Sequence, residues 1–346
     1  VCLEFFGQAR EAIPSIVEIK DFLDADTRNG GAILAGLEHL DERYLKAVGY
    51  TTKSRRGVLP KMALIGDIVG DDEDAVARAA SEVIRIANTR VGEGFVAVSP
   101  EARKKFWLDR AKTAAISKHT NAFKINEDVV IPLPRMGEYT DGIERINIEL
   151  SIRNKLALTE KLQAFFKNGN LPLGKSEDAD GDDIPAGELL EDRVQQTLAL
   201  LDLVSARWNF LLQQIDMPLA EALPQLTALG IDSAALQARL AAQPDVKLFS
   251  VVQDRTIRIS WKQELRAPLR QIFNGAAFRL ILEECVALHK QVLRGRVFVA
   301  LHMHAGDGNV HTNLPVNSDD YAMLQVAHQA VERIMQLARS LGGVIS

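Results

Sequence analysis

The chain has 346 residues, with 47% hydrophobic and 25% charged residues, the balance of a water-exposed globular protein with room for one large domain or two ordinary ones. Its formal net charge of −5, with basic residues scattered rather than banded, gives no electrostatic footprint for nucleic acid. The two cysteines, Cys2 and Cys285, lie far apart and belong to no CxxC, so neither a disulfide framework nor a zinc ribbon is indicated and a reducing cytoplasm is the default.

In chain order, "VCLEFF" reads as a strand, followed by a helix over "EAIPSIVEIKDFLDA" with Pro14 in its first turn. "GAILAGLEHL" is a second strand, "DERYLKAVG" a short helix closed by glycine, and "KMALIGDIVG" a third strand. The helix from Asp74 to Asn88 carries Val76, Ala80, Val83, Ile84 and Ala87 on one face, with acidic Asp71 to Asp74 at the positive end of its dipole. "FVAV" is a fourth strand and "PEARKKFWLDRAKTAAISKH" another helix. This pattern predicts an α+β fold with a ferredoxin-like antiparallel sheet and helices on one face.

Residues 1–154 form the first part of that domain. Within it "NAFKINEDVVIPLPRM" is a strand punctuated by Pro132 and Pro134. Residues 155–290 change character to helical periodicity, with one possible hairpin at "VKLFSVVQDRTIRISW", and read as a mostly helical insertion. Residues 291–346 return to α+β: strand "RVFVAL", a histidine-rich loop, strand "NLPV", and a long helix from Asp319 to Ser340 capped by Asn317 or Ser318 and stopped by Gly342 and Gly343. No internal sequence repeat stands out, and no run approaches the length of a membrane span.

The loop "HMHAGDGNVH", residues 302 to 311, carries the chemistry. The strand period of two puts Phe298, Ala300, His302 and His304 on one face. Gly306 and Gly308 can fold the chain back so that the imidazoles of His304 and His311 converge, a good start for a divalent metal but short of a full ligand set. Asp307 and Asn309 are either partners that fix the imidazole tautomers or simple turn formers. A dinucleotide-binding G-x-G-x-x-G fails because His311 occupies the last glycine position. The acidic "SEDADGDD" fails as an EF-hand because Leu189 stands where the twelfth-position carboxylate belongs. Arg110 and Lys124 are candidate clamps for an anionic substrate, against the plainer reading of two surface cations. An H-x-H pair, His302 and His304, also suits a metal-dependent hydrolase, and the long helical segment suits a non-catalytic binding module. His39, His119, His289 and His328 have no partner legible in the sequence.

"HAGDGNVHTN" resembles the H-x-G-D-G-N-x-H-x-N of the C-terminal domain of FAD-linked oxidases of the vanillyl-alcohol-oxidase type, the group of D-lactate, glycolate and D-2-hydroxyglutarate dehydrogenases. "FWLDR" followed by "KINEDVVIPLPRM" is similar to that family's W-x-x-R and K-x-x-D-x-x-x-P, and the closing "GGVIS" to the segment leading into G-E-H-G. The resemblance covers roughly 1 to 150 and 290 to 346. It implies that His304 and His311 are ligands of a divalent metal, Zn or Mn, and that Arg110, Lys124 and Asn313 contact a D-2-hydroxy acid. It further implies an FAD held mainly by a separate FAD-binding domain of the same full-length chain, an electron acceptor protein or quinone, possible homodimers, and a cytoplasmic or peripherally membrane-bound location. The family's third ligand, the glutamate of G-E-H-G, would fall just past Ser346, so the sequence reads as a fragment inactive alone. Ala114 departs from the threonine that related dehydrogenases can carry.

Overall fold

The computed structural model describes residues 1–111, 123–174 and 186–345. The chain divides into two compact units: Val1–Asn147 with Val297–Ser346, and Ile148–Arg296.

The first unit is α+β, built on one eight-stranded sheet. Its strands are β1 (Cys2–Phe5), β2 (Ile33–Asp41), β3 (Met62–Val69), β4 (Gly92–Phe95), β5 (Phe123–Val130), β6 (Ala300–His304), β7 (Asn309–Val316) and β8 (Val344–Ile345). They lie in the order β4-β1-β3-β2-β6-β7-β5-β8, and every pairing is antiparallel. The order 4-1-3-2 of the first four strands is repeated, mirrored, by the last four. Two βαββαβ motifs therefore meet edge to edge where β2 pairs with β6, and the sheet buries two edges that each motif alone would expose. This duplication is structural. It left no trace in the sequence because strand pairing constrains hydrophobic period, not residue identity.

One face of the sheet is covered by the helices Pro14–Arg28, Glu73–Asn88, Tyr321–Ser340 and the N-terminal part of Met136–Lys167. Their buried stripes, for example Ile16, Ile19 and Leu23 in the first, recur at three- and four-residue intervals. They meet Leu3, Leu64, Met303, Val310 and Leu314, all fully buried. Asn147 ties its helix to the strand region by donating to Val299 O at 2.9 Å and accepting from Val299 N at 2.8 Å.

On the opposite face, over β1, β3 and β2, lie the short helix Glu42–Ala47 and the helix Pro100–Ala111. They seal an apolar cluster of Cys2, Leu40, Tyr44, Leu45, Ala63 and Ile65, with Phe106 and Trp107 packed against it.

Several local expectations shift. The fourth strand is Gly92–Phe95 rather than "FVAV", and Val98 is 91% exposed. The strand in "RVFVAL" begins only at Ala300, and the final helix is capped by Asp320, whose carboxylate accepts from Met323 N at 2.9 Å, not by Asn317 or Ser318. Helix Glu73–Asn88 is capped by Asp72 and buries Ala80, Val83 and Ala87 as expected, with Ala79 and Ile86 besides, while Val76 and Ile84 are half-buried.

The second unit is helical. Ala186–Gln213, Leu219–Ala228, Ser233–Ala242, Leu248–Gln253, Ala267–Ile272 and Arg279–Arg294 enclose two apolar clusters, one centred on Trp208, Phe166 and Phe273, the other on Leu219, Leu226 and Leu248. The hairpin expected at "VKLFSVVQDRTIRISW" is absent: Leu248–Gln253 is a helical turn burying Leu248 and Val251, and Trp261–Arg266 is a π-helical turn. Burial at three-residue spacing overrode the β propensity of the branched residues. Glu264 anchors the π turn, accepting from Arg207 (2.8 Å), Trp208 Nε1 (3.1 Å) and Ser260 N (2.7 Å). The "SEDADGDD" stretch, Ala114 and His119 lie outside the described residues.

Candidate active site

Register decides what shares the sheet face. Glu38 pairs with His304, Leu40 with His302, His302 with His311, His304 with Asn309, His311 with Asp128, and Asn313 with both Ala300 and Asn126. Directly paired residues project to the same side. His302, His304, Asn309, His311, Asn313, Asp128, Asn126 and Lys124 therefore populate one face of the second motif, joined across the seam by Glu38 of β2, on the face that carries the apolar cluster in the first motif.

The strand-turn-strand connection that brings the histidines together depends on Gly308. It sits at φ +71°, and a Cβ there would come within 2.3 Å of Ile131 O. Its carbonyl accepts from Ile131 N at 2.9 Å, which docks the turn against the end of β5. Asp307 is exposed, and its N–H donates to His304 O at 3.1 Å, so it closes the turn.

The orienting partners of the imidazoles come from neighbouring strands. His304 Nδ1 lies 2.8 Å from Glu38 Oε1, and His311 Nδ1 lies 2.8 Å from Asp128 Oδ1. A carboxylate at Nδ1 favours the Nδ1–H tautomer and leaves Nε2 as the basic or ligating nitrogen. The two rings stand edge to face with centroids 5.1 Å apart. His302 stacks on His311 at 4.4 Å and 20°, and touches the Tyr44 ring at 5.4 Å. The in-plane lone pairs of near-parallel stacked rings lie in separate, near-parallel planes, so His302 and His311 are poorly placed to share one ion. His302 and His304 are farther apart, 6.3 Å between centroids.

Tyr44 is held over His302 by Asp41, which caps the helix Glu42–Ala47 at Tyr44 N (2.6 Å) and also accepts from Leu301 N (3.0 Å). Burial pushes the Asp41 carboxyl up to about 6. Asn313 is only 1% exposed. Its Nδ2 donates to His311 O (3.1 Å) and Ala300 O (3.4 Å), while its buried Oδ1 has no partner among the described residues. Asn309 Oδ1 is likewise buried without a partner. Lys124 is exposed at the start of β5, four residues and two same-side steps from Asp128. Arg110 lies on the helix Pro100–Ala111, its side chain outside the described set.

The sequence-predicted histidines thus come together with Asn309 and Asn313, whereas Asp307 is not the tautomer-fixing partner. That role falls to Glu38 and Asp128, neither of which sequence reasoning singles out. The available signal was the strand period, which puts Asp128 on the side of Lys124. Glu38 needed the β2–β6 pairing, across 266 residues of sequence, to become visible.

Among the described residues no group of three or more His, Cys, Asp or Glu side chains is arranged to hold a metal ion. Two imidazoles with carboxylate-backed Nδ1 atoms are nevertheless the donor chemistry that Zn or Mn takes, lacking further ligands.

The model of the FAD linked oxidases, C-terminal domain, matches residues 14–156 and 276–346, and the chain belongs to that family. Among curated proteins none matches the chain. The matched segments bracket most of the helical unit. Among the described residues no helix is long and apolar enough to cross a membrane.

Proposed function

We propose that this chain is the substrate-binding domain of an FAD-dependent dehydrogenase acting on a D-2-hydroxy acid of the lactate or glycolate type. The observation that carries the reading is the pair of couples His304–Glu38 and His311–Asp128 on one polar sheet face. The FAD implied by the family suits this face, since the His304 side chain is 39% exposed there, open to a bound partner. His304 and His311 would hold a divalent metal through Nε2, with Asn313 Oδ1 and Lys124 nearby on the same face.

When bound, the metal supplies Lewis acidity toward the substrate hydroxyl and FAD supplies the acceptor for the hydrogen leaving C2. The remaining work belongs to the chain. Lys124 and Arg110 attract and orient the carboxylate as point charge and fork. The unpartnered Oδ1 of Asn313 can accept a hydrogen bond from a substrate hydroxyl, compensating its own burial. Glu38 and Asp128 hold the imidazoles by Nδ1 and leave Nε2 facing the site, so either ring can take up the hydroxyl proton if it is not ligating.

The test is anaerobic flavin bleaching of the FAD-loaded enzyme that carries this chain, with D- and L-lactate, glycolate and D-2-hydroxyglutarate. Bleaching by D- but not L-acids is expected. No bleaching by any 2-hydroxy acid would overturn the substrate class.

A further inference from the structure

The helical unit contains a cavity of about 450 Å³ that belongs to none of the chemistry above. It is formed where the π turn Trp261–Arg266 and the helix Ala267–Ile272 face the helix Arg279–Arg294. Its walls are two kinds of surface. Trp261, Leu269, Leu282, Cys285 and Val286 make an apolar floor, with Trp261 stacked on His289 at 4.6 Å and 12°. Arg266, Arg270, Arg279 and Lys290 bring four positive charges to it, against the single acid Glu283.

The charge is not balanced from within. Glu283 lies 3.7 Å from Arg279, an exposed pair. Glu264, the nearest acid along the π turn, is committed to Arg207, Trp208 and Ser260. Arg266 Nε is buried and has no hydrogen-bond partner among the described residues, a position that forgoes both solvation and pairing. Burial, then the positive charges of Lys155 and Arg266, hold the His289 imidazole below its ordinary value. A concave apolar site of this size with convergent cationic donors is the form that small-molecule sites take.

We infer that this cavity binds a small anion carried on an apolar body, a carboxylate or phosphate whose charged end meets Arg266 and whose hydrocarbon or aromatic body lies against Trp261, Leu282 and Val286. The guanidinium fork suits either anion, so the shared chemistry is an amphiphilic oxyanion. The apolar floor separates it from inorganic anions, and the cationic rim separates it from neutral apolar molecules. Occupation neutralises the local field, so the His289 titration midpoint rises, since a nearby negative charge favours the imidazolium.

The experiment titrates the purified chain with octanoate, octyl phosphate, inorganic phosphate and 1-octanol, following the Trp261 indole and His289 ring signals by NMR. Saturable binding of octanoate or octyl phosphate is expected, with His289 titrating at higher pH in the complex, and the tighter of the two names the preferred oxyanion. Arg266→Leu weakens it by at least ~10-fold, equivalent to about 1.4 kcal/mol. Val286→Trp fills the cavity without changing charge and removes binding, which keeps the idea testable if the Arg266 variant does not fold. Equal affinity for octanol, binding of inorganic phosphate as tight as octyl phosphate, unaltered affinity in the folded Arg266 or Val286 variant, or no saturable binding would each overturn it.

Discussion

The two βαββαβ motifs of the sheet share topology and differ in what they place on the face opposite their main helices. In the first, Cys2, Ala63, Ile65 and Leu40 are buried beneath Glu42–Ala47 and Pro100–Ala111. In the second, the corresponding positions carry His302, His304, His311, Asn313 and Asp128. One half spends its second face on stability and the other leaves it polar, with buried acceptors on Asn309 and Asn313 that nothing described satisfies. A site can be polar and under-satisfied here because the other half and the helix-covered side already hold the sheet together.

This division is breakable by substitution. His304→Ala or His311→Ala is expected to lower turnover of the FAD-loaded enzyme by more than the roughly 100-fold that losing an outer-shell partner costs, with FAD retained and the urea midpoint little changed. The converse change, Ile65→Ala in the apolar half, removes a fully buried side chain and is expected to lower stability by about 2–5 kcal/mol in urea denaturation. Turnover per folded molecule should stay near normal. If Ile65→Ala abolished turnover in folded protein, or the histidine variants unfolded, the two halves would not be divided as described.

Asp128→Asn sharpens the contrast at a smaller scale. It keeps the shape and a hydrogen-bonding group but removes the charge that orients His311, and a loss of ~10–100-fold in turnover or metal affinity is expected. Metal analysis beside steady-state kinetics separates this from a folding defect.

The smallest effect near neutral pH concerns His39, on the helix-covered side of β2 and so back to back with the site. It is fully buried, neither ring nitrogen has a partner among the described residues, and burial lowers its pKa to about 3. The folded state therefore refuses a proton that the unfolded chain takes up near its ordinary value of 6.5. Its contribution is present above that value and is lost as pH falls from 6.5 toward 3, by up to roughly 1.4 kcal/mol per pH unit. His39→Leu should flatten that acid limb in denaturation series run between neutral and mildly acidic pH; an unchanged slope would assign the limb to other groups.

Much of the α+β unit was legible because its strands are short, bounded by glycine or proline, and alternate with amphipathic helices. Strands β1 to β3 and the helices after them follow directly from period. The duplication did not show, since eight strands with unrelated residues satisfy the same pairing rules. The helical turn Leu248–Gln253 was hidden because Val246, Leu248 and Val251 fit a strand locally, and only packing against the Leu219–Ala228 helix decides otherwise. Within the site, His304 and His311 stood out because they flank a glycine turn. Glu38 and Asp128 did not, because a tautomer-fixing carboxylate is defined by strand register across long sequence separations and has no local mark.

The most direct measurement is long-range ¹H–¹⁵N NMR of the histidine rings in the purified chain at a pH where imidazoles are neutral, followed by addition of substoichiometric Mn²⁺. Protonated Nδ1 and unprotonated Nε2 on both His304 and His311, with both rings broadened by Mn²⁺ well before His39 and His328, is the predicted result. The opposite tautomer on either ring, or broadening centred on His302 with His311 untouched, would contradict a site in which Glu38 and Asp128 aim two imidazoles at one ion.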